Sequence, residues 1–371
     1  MPRDAHRPRA RARDLVDLPG EPGPHNAITD VPGVTVGVET LVQGDDVRTG
    51  VTAILPRGRE GVGEPCAAGW YSLNGNGELT GTTWIEESGA LTMPVTLSNT
   101  HAVGACHTGV VAWVNEVHPR LAAAWLLPVC GETWDGYLND INGGHVRPEH
   151  ARAALDAATG GPVPEGSVGG GTGMNCYAFK GGTGTASRRV RFGEATYTVG
   201  ALVQANFGSR EELVVAGVPV GRSLREDNPM ETTPWFERDL GAGGDRVPAG
   251  AGSVIVVVAT DAPLLPHQCK ALARRVPLGL ARTGTAGGHF SGDIFLAFST
   301  APAPGLRSTM SPTPTELATQ QLVPWGAIDP FLTAVVEAVE ESVLNALVVN
   351  DEMVGRAGHR TPALPHDALR R

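Results

Sequence analysis

The chain has 371 residues, 41% of them hydrophobic and 18% charged, which is enough for a deep apolar core in one large domain or two ordinary ones. Its net charge of -10 argues against a nucleic-acid binder, which needs a basic face, and its longest strongly apolar run, residues 254–259, is far too short to span a bilayer. Five scattered cysteines without a C-x-x-C spacing argue against a disulfide framework or a zinc site and predict buried, reduced thiols in a cytoplasmic protein.

The chain opens with Arg3, Arg7, Arg9, Arg11 and Arg13. No apolar run follows that would make a secretory signal, so residues 1–25 are expected to form a flexible, solvated tail. Short β-like runs come next at 34–38, 51–55 and 95–97, broken by Gly, Asn and Pro. A helix-like stretch covers 151–157, and strands are expected at 196–204 and 213–215. From 222 to 252 the chain turns polar and rich in Gly and Pro, with no sustained period, and reads as a long exposed linker. At Ser253 it changes abruptly to SVIVVVAT, the pattern of a strand buried on both faces. A helix is expected over 266–282, with Leu272, Val276 and Leu280 spaced by four, and a buried strand over 294–298. A final helix over 330–348 carries a stripe of Leu332, Val335, Val336, Val339, Val343 and Leu347, with Glu337, Glu340 and Glu341 off the stripe. The sum is an α/β domain, 26–371, interrupted by one long segment.

The chemistry concentrates at the junction Gly252-Ser253. If the bond before Ser253 breaks, the serine carries a free α-amine at the edge of a rigid sheet. Such an amine has a reference pKa of about 7.7–8.0. It accepts a proton from its own hydroxyl near neutral pH without a histidine. Glycine before the serine leaves room for the hydroxyl to reach the preceding carbonyl. Taken alone, the same residues also fit a serine that merely starts a strand after a loop.

Several blocks, in order, decide between these. They are NAITDVPGVTVG (26–37), RTGVTAILPRG (48–58), SLNGNGELTGTTWIEESG (72–89), GETWDGYLNDIN (131–142), GSVGGGTGMNCYAFK (166–180), LVQANFG (202–208), Gly252-Ser253 and RTGTAGGHFSGDIFLAF (282–298). From Asn26 onward the chain resembles the family of L-aminopeptidase/D-esterases and β-peptidyl aminopeptidases. The resemblance implies a four-layer αββα sandwich, of a type shared with ornithine acetyltransferases. It also implies self-cleavage between Gly252 and Ser253 into an α-chain, 1–252, and a β-chain, 253–371. A homo-oligomer of αβ units, a tetramer, is implied as well, with no cofactor and no metal.

The resemblance assigns roles residue by residue. Ser253 is the nucleophile and its α-amine the base. Ser291 and Asp293, two apart in HFSGDIF, face the same side of a strand and orient Ser253 by hydrogen bonds. Asn206 and Tyr137 donate to the oxyanion; removing one such donor typically costs ~2.7–4 kcal/mol. Glu132, or its neighbour Asp135, binds the ammonium of the substrate. Each has a plainer reading: a surface turn at Ser291, a strand-end turn former at Asn206, a packed aromatic at Tyr137. The glycine-rich stretch 166–173 has no following Lys-Ser/Thr and reads as backbone packed close to the site, not as a phosphate loop. His289 reads as structural.

The expected activity is removal of N-terminal residues from small peptides, amides or esters through an acyl-enzyme, with L-aminopeptidase/D-esterase preference ahead of β-peptidyl preference. An acyltransferase like the ornithine acetyltransferases is the first alternative, but those carry threonine at the junction. A non-catalytic nucleotide-binding protein is the second, and predicts an intact chain.

Overall fold

The computed structural model describes residues 10–240, 250, 252–308, 310 and 315–370. In chain order the strands are β1 (Thr35–Gln43), β2 (Val47–Leu55), β3 (Cys66–Gly75), β4 (Ala90–Leu91), β5 (Val95–Asn99), β6 (Val129–Thr133), β7 (Asn175–Cys176), β8 (Phe179–Lys180), β9 (Gly182–Phe192), β10 (Ala195–Asn206), β11 (Ser253–Thr260), β12 (Gly292–Ser299), β13 (Met353–Val354) and β14 (Arg360–Thr361). The helices are α1 (Thr82–Ser88), α2 (Val103–Val117), α3 (Pro148–Asp156), α4 (Pro229–Thr232), α5 (Trp235–Leu240), α6 (Pro266–Ala273), α7 (Val276–Arg282) and α8 (Asp329–Val348).

Two sheets stack. One has the order β1-β2-β5-β6, the other β4-β3-β12-β11-β10-β9. Alternation along each strand sets the layers. In β11, Ile255, Val257 and Ala259 pack with Ile54, Leu97 and Val129 between the sheets. Val254, Val256 and Val258 instead meet Val335, Val339 and Val343 of α8 and Leu272 of α6. On the outer face of the smaller sheet, Val51, Ala53 and Leu55 pack under Val110 and Trp113 of α2 and Ala151 of α3. The layers are therefore α, β, β, α, as the resemblance implies. A strand such as β11, apolar on both sides because it has a layer on each, gives the unbroken β-branched run seen in the sequence.

Several elements differ from the sequence reading. Residues 213–215 form no strand: Leu213 and Val215 are buried, but Val215 bridges only Val218 across a tight turn at Ala216 and Gly217, both at positive φ. The helix over 266–282 is two helices, because Pro277 has no N–H to continue the first and restarts the chain near the head of α7. Glu341 on α8 is fully buried, held by Arg188 at 2.8 Å and by Arg13 at 2.8 Å, so it belongs to the interior and not to a solvated face. Glu340 is buried too, paired with Arg282 at 3.0 Å.

The N-terminal segment follows from those pairs. Arg3, Arg7 and Arg9 lie outside the described residues, but residues 10–25 lie along the body and are not a solvated tail. Arg13 grips Glu341 with Nε, and Arg11 donates to the Thr185 carbonyl at 2.7 Å and pairs with Glu165 at 2.7 Å. In the expected linker, residues 229–240 fold into α4 and α5, and Asn228 caps α4 by accepting from the Glu231 N–H. The rest of that stretch, 241–249 and Ala251, lies outside the described residues.

Candidate active site

Ser253 is the first residue of β11 and sits between the last residue of β10, Asn206, and the first of β12, Gly292. By alternation it continues the row of Ile255 and Val257, and Asn206 continues the row of Leu202, so both side chains are on the face toward the second sheet. Close backbone approach makes glycine necessary at 252: a Cβ there would lie 2.0 Å from the Asn206 carbonyl oxygen. The Ser253 hydroxyl donates to the Gly252 carbonyl at 2.7 Å, and the Gly292 N–H reaches the same oxygen at 3.4 Å.

Ser291 and Asp293 meet, as their spacing predicts. Both are buried, and the Ser291 hydroxyl donates to Asp293 Oδ1 at 2.5 Å. Burial raises the Asp293 carboxyl above the usual range, opposed by hydrogen bonds from Ser291, Asn74 and the Val254 N–H.

The Asn206 amide is fixed at both ends. Its Oδ1 accepts the Asn175 N–H at 2.8 Å, and its Nδ2 donates to the Trp134 carbonyl at 2.9 Å. Asn175 is supplied by the glycine-rich stretch, which is buried between the sheets: a Cβ at Gly170 would lie 2.1 Å from Gln204 Oε1. No phosphate could enter there. Lys180 ties this stretch down. It is fully buried and donates to the Met174 carbonyl at 2.6 Å and the Gly181 carbonyl at 2.8 Å, and burial depresses its amine to about 7.

Glu132 is buried at 1% exposure and accepts from the Glu78 N–H at 2.9 Å and from the Thr100 hydroxyl. Burial raises its carboxyl, with those two bonds opposing. Tyr137 is buried, its hydroxyl pushed up to about 12 by burial and donating weakly to the Arg360 carbonyl at 3.3 Å.

A cavity of about 610 Å³ collects these groups. Gly252, Ser253, Asn206, Tyr137, Glu132 and Asn175 line it. Asp135 does not; it lies buried behind, accepting from Asn139 at 3.0 Å, with its carboxyl pushed up to about 7 by burial and Oδ2 without a partner. Ser291 and Asp293 lie next to Gly292, behind the Ser253 wall. The exposed His289 makes its ring contact with Phe290.

The remaining wall was not foreseen from the sequence. Met230 of α4 and Trp235 and Phe236 of α5 cover one side, and Phe290 another. Trp235 meets Tyr137 edge-on at 4.9 Å. The far end of α5 is pinned by Asp239, which pairs with His359 at 2.6 Å and Arg356 at 3.3 Å. A short helix amid polar, Pro-rich sequence has no usable period, so only the aromatic pair at 235–236 hinted at a buried contact. Among the described residues, no three His, Cys, Asp or Glu side chains come together as a metal site, and no helix is long and apolar enough to cross a membrane. All five cysteines are free and buried.

Comparison with known proteins adds to this geometry. The profile of Peptidase family S58 matches residues 26–361. The "Beta-peptidyl aminopeptidase BapA" of Sphingosinicella microcystinivorans is 48% identical over 97% of this chain and 91% of its own. A Burkholderia sp. beta-aminopeptidase superposes with a TM-score of 0.85 at 46% identity, covering 97% of each chain. The L-aminopeptidase D-ala-esterase/amidase of Ochrobactrum anthropi, described as a prototype for the serine aminopeptidases and a variant of the Ntn hydrolase fold, superposes with a TM-score of 0.86 at 44% identity, covering 97% of this chain and 96% of that one.

Proposed function

The chain belongs to peptidase family S58 and is a serine aminopeptidase of the Ntn-hydrolase fold, and we propose that Ser253 is both its self-cleavage point and its nucleophile. The observation that carries this is the placement of Ser253 on the wall of a cavity that also holds a buried carboxylate, with its hydroxyl 2.7 Å from the Gly252 carbonyl oxygen.

In the precursor, Ser253 Oγ attacks the Gly252 carbonyl carbon. The C–N bond breaks as the Oγ proton passes to the departing nitrogen, leaving an ester and a free α-amine, and water hydrolyses the ester to give the Gly252 carboxylate. The Gly292 N–H, 3.4 Å from the Gly252 oxygen, is placed to hold the developing charge. In turnover the α-amine takes the Ser253 proton as Oγ attacks the substrate carbonyl. Asn206 spends one N–H on Trp134, and its second is the donor assigned to the oxyanion; the Tyr137 hydroxyl, weakly bound to Arg360, swings in beside it. The tetrahedral intermediate collapses to an acyl-enzyme with the leaving amine taking the proton, and water then releases the acid. Ser291 and Asp293 orient Ser253, and Glu132 holds the substrate ammonium. Asp135 is behind the cavity wall, so that role falls to Glu132.

The substrates are small peptides, amides or esters with a free amine; the cavity volume fits molecules of that size. The sequence blocks favoured L-aminopeptidase/D-esterase preference. Relatives named for β-residues, at 48% and 46% identity against 44%, support β-residues beside it. Both residue classes are therefore assigned, and a matched pair of dipeptides differing by one backbone methylene measures the preference. The domain is divided by the cleavage into residues 1–252 and 253–371. The exposed apolar residues 122–125 and Leu127, with Trp125 82% exposed, support a homo-oligomer, and the five buried free thiols support a reducing cytoplasm.

The direct test is hydrolysis of one peptide with its amine free and acetylated. Release from the free form alone supports the reading; equal release from both removes the ammonium site.

A further inference from the structure

The motif SLNGNG at the end of β3 carries no role in the mechanism above, yet it touches the machinery. The register of β3 against β12 sets Asn74 opposite Asp293, where the ladder slips between Asp293 and Ile294. Asn74 Nδ2 lies 2.9 Å from Asp293 Oδ2, 3.2 Å from the Gly287 carbonyl and 3.1 Å from the Gly288 carbonyl. All three neighbours are oxygen acceptors, so the amide must present its NH2 and not its oxygen. One hydrogen goes to the carboxylate and the other is shared by the two loop carbonyls. Two residues on, Asn76 Nδ2 donates to the Phe290 carbonyl at 2.8 Å. The loop 287–290, whose Phe290 walls the cavity, is thus tied at one end to β3 and at the other to Asn76 just beyond it.

We propose that Asn74 is a positioning residue for the Ser291–Asp293 pair, fixing the plane of the Asp293 carboxylate so that Ser291 is held toward Ser253. A carboxylate turns freely about its last bond unless each oxygen is held. Here Ser291 holds Oδ1 and Asn74 holds Oδ2. The inference rests on the assignment of Ser291 and Asp293 to the active site.

The arrangement has an electrostatic consequence. Burial raises the Asp293 carboxyl, and the donors that oppose it are neutral: Ser291 on its own segment, Asn74 on β3, and the Val254 N–H on β11. The titratable groups near this end of the sheet are the amine that cleavage would create on Ser253, Glu132 and Glu78 across the cavity, and the exposed His289. A neutral donor favours the ionised carboxylate, so losing Asn74 raises the Asp293 pKa further.

The test compares Asn74→Ala, Asn74→Asp and Asp293→Asn, reading self-cleavage by intact mass and kcat and KM across pH 5–9. For Asn74→Ala we expect kcat to fall about 10- to 100-fold, the loss of one hydrogen bond to a charged group, with KM within about threefold. The acidic limb of kcat moves to higher pH. Asn74→Asp, nearly isosteric but placing a second carboxyl beside Asp293, moves that limb further. If Asn74→Ala is cleaved only slowly, the cleavage rate of its purified precursor is followed against pH, with the same limb shift expected; a precursor cleaved at no pH overturns a positioning role. A uniform loss at every pH, or no loss, overturns the proposal while an inactive Asp293→Asn leaves the underlying assignment standing. An active Asp293→Asn overturns that assignment, and the proposal with it.

Discussion

Asn206 and Ser253 are direct partners in the antiparallel ladder, the last residue of β10 facing the first of β11. One ladder position therefore sets Asn206 beside Ser253, the proposed oxyanion donor beside the proposed nucleophile, and it does so with rigid backbone from the centre of a sheet. Every neighbour of that pair is also pinned: Gly252 by contact with the Asn206 carbonyl, the Asn206 amide by Asn175 and Trp134, and Asp293 by Ser291 and Asn74. Groups held this way need no reorganisation when charge develops.

Ser253→Ala removes the hydroxyl that lies 2.7 Å from the Gly252 carbonyl oxygen. A soluble, uncleaved chain without activity is expected. Intact mass under denaturing conditions checks it: the parent should give two species divided at Gly252/Ser253, the variant one. Cleavage of the variant at the same bond would show that the serine hydroxyl does not drive processing.

Asn206→Ala tests the proposed oxyanion donor, which would act on the transition state and not on the bound substrate. The expected loss is about 100- to 1,000-fold in kcat with little change in KM. Steady-state kinetics on one amide substrate decides it; a rise in KM with kcat kept would place Asn206 in ground-state binding.

The parts of this site that the sequence showed are those with a local signature. The switch from a Gly-rich stretch to SVIVVVAT marks Ser253 because a strand in the middle of two layers must be apolar on both faces. The spacing of Ser291 and Asp293 is strand period two. What the sequence did not show depends on contacts between distant segments. Trp235 and Phe236 come from a stretch with no period, and become a wall only because Asp239 is pinned to His359 and Arg356, over a hundred residues on. Glu341 lies off the apolar stripe of α8 and is nevertheless interior, because Arg13 and Arg188 meet it there. Arg11 and Arg13 read as solvated for the same reason: their partners, Glu165 and Glu341, are far away in sequence.

Glu132→Gln keeps the shape of the side chain and removes its charge. Loss of a charge-assisted bond to the substrate amine should raise KM about 10- to 150-fold, with a smaller effect on kcat. Burial holds the parent carboxyl above the usual glutamate range, so binding weakens as pH falls through that raised value. The parent kcat/KM should carry this component beside those of the Ser253 amine and Asp293, and Glu132→Gln should lose this component alone. Profiles of the two proteins on one substrate compare them directly.

Asp135→Asn tests a buried carboxyl that the cavity leaves out. Burial pushes Asp135 up to about 7, from an ordinary value near 3.8, with Oδ2 unpartnered. The folded chain therefore binds this proton more tightly than the unfolded chain does. That preference is fully present below the ordinary value and is lost as pH rises through about 7, where the folded chain must carry the buried charge. Asparagine cannot ionise and escapes the loss. Lys180, depressed to about 7 by its own burial, titrates in both proteins, so its intrinsic contribution cancels in the comparison. The variant should gain melting temperature over the parent by several degrees more at pH 8 than at pH 5, an effect on the order of a few kcal/mol. Equal differences at the two pH values would mean that Asp135 does not change protonation on unfolding. A variant that melts below the parent at both pH values would mean that the Lys180 ammonium keeps Asp135 ionised inside the fold, reversing the direction that burial alone dictates.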